Sequence, residues 1–313
     1  MGRNGSAALR AMLKNKELIV TPCCHDGFSA RLIQQAGFKA AFASGYCIAA
    51  TRGFPDTGLI SGGEMIDSMN VICESVSHGF PVIGDGDTGY GNAMNVKRTV
   101  RRYSRAGVAA IMLEDQVDPK QCGHTEGKQV ISREQSVLKI KAACDARDEL
   151  RKDRGLNESS ELDDILILAR TDARGPLGLD EAIERCQAFR RAGADITFLE
   201  APQSLEELER YCKEVPGPKM ANMLVKGKTP ILSADQLHDM GFSIVAYPFD
   251  LLGSFLQAAN TTLSALKDTS KIPEPPSEEA IQRLWDVTGF NQYQVEQREY
   301  GCNGQKKVSG ESI

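Results

Sequence analysis

The stretch Ala106-Gly107-Val108-Ala109-Ala110-Ile111-Met112-Leu113-Glu114-Asp115 sets how the rest of the chain is read. Ahead of it, Met94–Ala106 (MNVKRTVRRYSRA) has a helical pattern, and Gly107 suits the left-handed position that stops a helix. Ala110–Glu114 is then a short apolar run, a strand candidate, and it ends on two acids. The same phrase returns at Ala36-Gly37-Phe38, Ala192-Gly193-Ala194 and Met240-Gly241-Phe242, each time closing a helix just before a strand.

Outward from this unit, strand candidates fall at Leu18–Pro22, Ala40–Ser44, Pro81–Asp85, Ala110–Glu114, Leu166–Thr171, Ile196–Glu200, Lys219–Asn222 and Ile244–Tyr247. Amphipathic stretches such as Leu179–Ala192 (LDEAIERCQAFRRA) lie between them. Eight strands, each followed by a helix, predict a parallel sheet, and eight is the number that closes a (β/α)8 TIM barrel. A doubly wound open sheet shares part of the pattern, but no G-x-G-x-x-G follows the first strand. Arg151–Asp164 (RKDRGLNESSELDD) reads as a solvated polar loop, and Lys271–Pro276 breaks the chain before an additional C-terminal helix at Glu278–Thr288. Gly301–Ile313 reads as a disordered tail, so one barrel domain over residues 1–313 is expected, its core at about 10–290.

Composition narrows the class. With 313 residues, 41% hydrophobic and 25% charged, the chain is ordinary for a globular protein. A net charge of −5 argues against a nucleic-acid surface. No apolar run approaches the roughly 20 residues needed to span a bilayer. The N-terminus has no signal-peptide core, so a cytoplasmic location is expected. Gly2 and Ser6 fit a myristoylation pattern, against the plainer reading of a frayed terminus. Nine cysteines without a C-x-x-C pair suggest free thiols in a reducing compartment. Cys23, Cys24, Cys47, Cys73, Cys144, Cys186 and Cys212 read as core residues.

The C-terminal ends of the strands carry the chemistry, as barrel enzymes require. They read Ser44-Gly45-Tyr46, Asp85-Gly86-Asp87-Thr88-Gly89, Glu114-Asp115, Arg170-Thr171-Asp172, Glu200 and Asn222. Asp85, Asp87 and Glu114, with Asp56 from the loop after strand two, form an oxygen-rich set that suits Mg²⁺ or Mn²⁺ rather than Zn²⁺. Because Mg²⁺ keeps several waters, one carboxylate would bind it directly and the others would hold its waters. Alone, D-G-D-T-G is equally a tight turn; Glu114 one strand away favours the metal. The loop after strand four runs to about Val130, the length of a closing lid, and carries Lys120-Gln121-Cys122-Gly123-His124. Lysine and histidine so close to a thiol could favour thiolate, although on these residues alone a surface cysteine in a basic loop is the simpler reading.

Taken together, Ser44-Gly45-Tyr46, Asp85-Gly86-Asp87-Thr88-Gly89, Glu114-Asp115-Gln116, Lys120-Gln121-Cys122-Gly123-His124 and Ala169-Arg170-Thr171-Asp172 resemble the isocitrate lyase/phosphoenolpyruvate mutase superfamily, over roughly residues 10–290. The K-x-C-G-H element marks its lyase branch and argues against phosphonate chemistry. The resemblance implies a 2-oxy acid held through Mg²⁺, with Asp85 at the metal and Asp56, Asp87 and Glu114 acting mostly through water. It implies that Ser44, Gly45, Gly123, Arg170 and Asn222 hold the substrate and that Glu200 supports the far end of the site. It makes Cys122 the proton donor to the departing carbon, with Lys120, His124 and Tyr46 in the catalytic group. It also implies a homotetramer whose neighbours exchange the C-terminal barrel helix.

Two departures bear on substrate. Methylisocitrate lyases carry an arginine a few residues past the segment like Tyr247-Pro248, and the matching position here is Gly253, with no arginine from Tyr247 to Leu266. The chain is more similar to 2-alkylmalate lyases and oxaloacetate hydrolases, the petal death protein type included. Oxaloacetate hydrolases tend to have serine where Pro248 stands, which favours the lyase, with Phe249 and Leu252 as candidate walls for an alkyl group. The alternatives are a methylisocitrate or isocitrate lyase, a phosphoenolpyruvate mutase-type enzyme, or a non-catalytic barrel; the last would normally have lost an acid or the loop cysteine, and none is missing.

Overall fold

The repeated helix–glycine–strand phrase acts through local sterics. In the computed structural model, which describes residues 5–122, 127–153, 164–270 and 277–300, Gly107 (φ 92°) and Gly241 (φ 103°) stop their helices in the left-handed conformation and turn the chain into the next strand. Eight parallel strands result: β1 (Ile19–Cys24), β2 (Ala41–Ala43), β3 (Val82–Asp85), β4 (Ala110–Glu114), β5 (Leu166–Thr171), β6 (Ile196–Leu199), β7 (Lys219–Asn222) and β8 (Ile244–Tyr247). They pair in sequence order and β1 pairs back with β8, a closed barrel. The register sets Ile19 beside Ile244 and Glu114 beside Arg170. Strand one runs two residues further than its pattern suggested, and strand two stops at Ala43, where Ser44 leaves to cap a helix.

The helices are α1 (Gly5–Lys14) before β1, α2 (Gly27–Gln35), α3 (Gly45–Thr51), α4 (Gly62–Ser75), α5 (Ala93–Ala106), α6 (Arg133–Asp153), α7 (Arg174–Leu177), α8 (Leu179–Arg191), α9 (Leu205–Glu214), α10 (Ala234–Met240) and α11 (Asp250–Thr269), then α12 (Glu278–Thr288) and α13 (Phe290–Glu299). Ser61, Asn92 and Ser233 open α4, α5 and α10 with reciprocal capping boxes, which satisfy otherwise orphaned amides. Among the described residues no helix is long and apolar enough to cross a membrane. The seven cysteines expected in or near the core are all buried except Cys212, which is half-buried.

Two expectations change. Arg151–Asp153 are the last residues of α6 rather than loop, and Asp164 is buried, accepting a 3.1 Å bond from Arg10 of α1. Arg10 and Arg147 also reach Asp195, at 3.0 and 2.7 Å, so Asp164 belongs to an ion-pair cluster with these residues. At the C-terminus two helices stand where one was expected, because Gly289 (φ 78°) ends α12 and Phe290 starts α13 at once. The central part of the polar segment (154–163), residues 271–276, the 301–313 tail and Gly2 lie outside the described residues.

The chain divides into two compact units, Met1–Phe255 and Leu256–Ile313. The first holds the barrel. Within the second, Trp285 and Phe290 pack with ring centres 5.3 Å apart, while Leu284, Tyr293 and Val295 remain exposed.

Candidate active site

Side chains on a strand alternate faces with period two, and in this barrel the inward series ends on a polar residue on six strands and on Pro248 on a seventh. Phe42 leads to Ser44, Ile83 to Asp85, Met112 to Glu114, Leu168 to Arg170, Phe198 to Glu200, Met220 to Asn222 and Ala246 to Pro248. The apolar members fill the barrel interior. The polar ones line one cavity above them, together with Tyr46, Asp56, Lys120, Gln121 and Cys122. The cavity encloses about 560 Å³, open solvent included, a size suited to a small ligand.

Asp85 is the best-fixed acid. Its Oδ2 accepts from the Gly45 N–H at 3.0 Å, its Oδ1 from the Asp87 N–H at 3.1 Å, and its carbonyl from the Tyr103 hydroxyl at 2.6 Å. Gly45 is required here, since a Cβ would lie 2.8 Å from Asp85 Oδ2. The D-G-D-T-G run is a tight turn as well as an acid site: Gly89 N–H bonds back to Gly86, and Asp87 sits at φ 47° with its Oδ2 accepting from Tyr90. Burial, and then the Asp87 charge, push the Asp85 carboxyl up to about 6. Burial likewise raises Glu114, whose Oε1 has no hydrogen-bond partner among the described residues.

Buried carboxylates with raised proton affinity and an unpartnered oxygen fit a divalent cation. They do not form a cage: among the described residues no three His, Cys, Asp or Glu side chains converge closely enough to ligate one ion. This donor set fits an ion held by one or two carboxylates and several waters, the usual preference of Mg²⁺.

Lys120 stands between two of the acids, its Nζ 2.5 Å from Asp56 Oδ1 and 2.6 Å from Asp87 Oδ1. Burial opposes its charge, but Asp87 and the other surrounding carboxylates hold its pKa well above the usual lysine value. The outgoing arm of this loop is fixed by Gln116, whose amide trades two 2.9 Å bonds with the Gln121 backbone. Cys122 is half-buried on the cavity wall. The Tyr46 ring packs on Phe249 at 4.3 Å, and burial followed by the Cys122 charge raises its phenol pKa.

Arg170 is gripped from below. Asp172 accepts from its Nε at 2.8 Å and from its Nη2 at 3.0 Å; Glu114 and Glu200 lie 3.3 and 3.4 Å away. Asp172 is itself anchored by its N–H to Asp115 Oδ1 (2.8 Å), and the second Asp115 oxygen accepts from Thr171 (2.6 Å) and the wholly buried Arg185 (2.9 Å). Burial favours a neutral Asp172, but Arg170 and Lys128 outweigh it and hold the carboxyl well below its usual range. Asn222 donates to Glu200 at 3.4 Å, and the Cys47 thiol donates to the Pro248 carbonyl at 3.0 Å.

Ser44, Tyr46, Asp56, Asp85, Glu114, Lys120, Cys122, Arg170, Glu200, Asn222 and Pro248 are thus brought to one cavity. Gly45 and Asp87 stand just behind it, bonded to Asp85 and Lys120. Gly123 and His124 lie outside the described residues. Phe249 lines the cavity, whereas Leu252 packs into the barrel's inner cluster instead. Sequence reading missed Gln121, the Asp115–Arg185 support and the apolar floor of Phe42, Met112, Phe198, Met220 and Leu224. Only the floor had a legible signal, the inward period of the strands.

The phosphoenolpyruvate phosphomutase family model matches residues 9–267. The chain belongs to this phosphoenolpyruvate mutase/isocitrate lyase superfamily, and it falls with the superfamily's carbon–carbon lyases and oxaloacetate hydrolases. It is 46% identical to a 2,3-dimethylmalate lyase from Eubacterium barkeri, covering 78% of this chain and 80% of that one. It is 39% identical to a 2-methylisocitrate lyase from Aeropyrum pernix, covering 91% and 88%. An oxaloacetate acetylhydrolase solved with 3,3-difluorooxalacetate superposes with a TM-score of 0.88 at 35% identity, covering 96% and 98%. A 2,3-dimethylmalate lyase structure gives 0.87 at 33%, covering 100% and 99%. A phosphonopyruvate hydrolase complexed with oxalate and Mg²⁺ gives 0.79 at 27%, covering 96% and 99%.

Proposed function

We propose that the protein is a Mg²⁺-dependent lyase that cleaves 2-alkylmalate-type dicarboxylates to a 2-oxo acid and a carboxylic acid, with oxaloacetate hydrolysis to oxalate and acetate as a slower second activity. The observation that carries it is the mixed lining of one cavity, in which acids, Lys120, Cys122 and Arg170 stand together with the apolar Phe198, Leu224 and Phe249. The only cations lining it among the described residues are Lys120 and Arg170, and both already face protein carboxylates, so a third substrate carboxylate would find no further counter-charge there. Gly253 offers no cation either, and open space surrounds it.

Asp85 would hold the ion, with Asp56, Asp87 and Glu114 holding its waters; Mn²⁺ would serve the same donors. When bound, the ion would lower the pKa of the 2-hydroxyl and orient it. Arg170 and Asn222 would hold the substrate's oxygens, with Ser44 and the Gly45 and Gly123 backbone at its other end and Glu200 behind Arg170. As the carbon–carbon bond breaks, the 2-hydroxyl would give its proton to a neighbouring carboxylate and become the keto oxygen, and the bond's electron pair would pass to the departing carbon as a carboxylate enolate. The Cys122 thiol would donate the proton that quenches it, with Lys120, His124 and Tyr46 setting the local charge and excluding water. Pro248 has no side-chain donor for the second hydroxyl of an oxaloacetate hydrate, which favours the alkylmalate.

The test is kcat/KM for 2-ethylmalate or 2,3-dimethylmalate, oxaloacetate and methylisocitrate. A preference of about 10³-fold for the alkylmalate over methylisocitrate is expected for an unpaired buried carboxylate. Faster turnover of methylisocitrate would overturn the reading.

A homotetramer exchanging its C-terminal helix belongs to the same proposal. Helix α11 has no buried residue and exposes Leu256 and Leu263, while α12 and α13 expose Leu284, Tyr293 and Val295. Such apolar surface calls for a partner. Sedimentation equilibrium decides it, and a monomer at micromolar concentration would sink it.

A further inference from the structure

Arg170 is surrounded by more negative charge than one guanidinium can neutralise. Asp172, Glu114 and Glu200 all lie within ion-pair distance. A cation so placed offers little attraction to a fourth carboxylate unless another positive group takes up part of that charge. Lys128 is that group. It lies on the return arm of the loop after β4, where the Val117 N–H bonds to the Gln129 carbonyl and the Ile131 N–H to the Asp115 carbonyl, both at 2.9 Å. This pairing holds the Lys128 backbone against the barrel rim. Its side chain is 4% exposed, and Nζ donates to Asp172 Oδ1 at 2.6 Å, on the same oxygen that Arg170 Nη2 uses.

We propose that Lys128 is a positioning residue for ligand binding: by sharing Asp172 with Arg170, it leaves the guanidinium able to bind a substrate carboxylate. Lys128 does not line the cavity, so it acts through Asp172 and not by touching substrate. The inference rests on the reading of Arg170 as a carboxylate-binding residue, though not on which dicarboxylate is cleaved.

The charge argument gives a signature that simple loosening of the fold does not. Removing a positive charge behind Arg170 weakens an anion's binding but does not weaken, and if anything tightens, the binding of a cation nearby. A packing defect weakens both. The experiment is calorimetric titration of wild type, Lys128→Met, Lys128→Gln and Lys128→Arg, first with Mg²⁺ alone and then with oxalate at saturating Mg²⁺. Lys128→Met and Lys128→Gln should bind oxalate at least about tenfold more weakly with Mg²⁺ affinity unchanged or higher, and Lys128→Arg should restore oxalate binding to within about threefold. On the best alkylmalate substrate, KM should rise more than kcat falls. Unchanged oxalate affinity in the Met or Gln variant, or parallel loss of Mg²⁺ and oxalate affinity in every folded variant, overturns the proposal. If Lys128→Met does not fold, Lys128→Gln and Lys128→Arg carry the comparison. Wild type that binds oxalate with Mg²⁺ but turns over no malate derivative would overturn the proposed reaction and leave the role of Lys128 standing.

Discussion

Lys120 Nζ lies 2.6 Å from Asp87 Oδ1, and the same ammonium reaches Asp56 Oδ1 at 2.5 Å. All three side chains are buried or nearly so, so the lysine neutralises charges that water cannot reach. Replacing it by Met leaves two carboxylates without a counter-ion. Lys120→Met should destabilise the metal-free protein by roughly 3 kcal/mol, the scale for breaking a buried pair. Mg²⁺ should then raise the melting temperature of the variant more than that of wild type, because the ion replaces the missing charge. Equal thermal shifts with Mg²⁺ would show that Lys120 and the ion do not share these acids.

Metal binding should weaken with acidity. The Asp85 carboxyl is pushed up to about 6, so below that pH a proton competes for the oxygen that would take the ion. Mg²⁺ affinity should fall about tenfold per pH unit below 6 and be nearly flat from 7 to 8 as far as this group is concerned. Without metal the sign reverses. The folded state keeps a proton that the unfolded chain releases near 4, so this carboxyl's contribution to stability grows as pH falls from about 6 towards 4 and is lost as pH rises through 6. Calorimetric Mg²⁺ titrations and metal-free melting at pH 5.5 and 7.5 test both signs.

Cys122→Ser should lower kcat by about 10²-fold or more, the usual scale for a general acid, while oxalate still binds. Oxalate needs no proton, so its affinity should stay within a few-fold of wild type. Normal turnover in this variant would make Cys122 a bystander in the cavity wall.

Gly45→Ala tests the backbone grip on Asp85. The added methyl would meet Asp85 Oδ2 at 2.8 Å and Cγ at 3.1 Å, so the carboxylate has to move. Helix propensity favours alanine in α3, and folding should survive. Mg²⁺ affinity should fall at least tenfold with kcat/KM following it. Unaltered metal binding would mean the carboxylate shifts without consequence.

Much of the architecture lies in short-range chemistry and is therefore legible. The glycines that end α5 and α10 act within a few residues, and the strand period places Asp85, Glu114, Arg170 and Glu200 inward at the same end of neighbouring strands. The sequence thereby determined the barrel and most of the residues that line its cavity. It did not determine who pairs with whom. Asp115 meets Arg185 across 70 residues and Asp172 across 57, Lys128 meets Asp172 across 44, and Lys120 enters between two acids from different loops. Those pairings exist because β2 to β5 lie side by side in parallel and bring their C-terminal ends and loops to one rim, where burial strips water from the charges and makes each choice of partner matter. Local propensity carries no information about contacts of that range; the tertiary structure alone decided them.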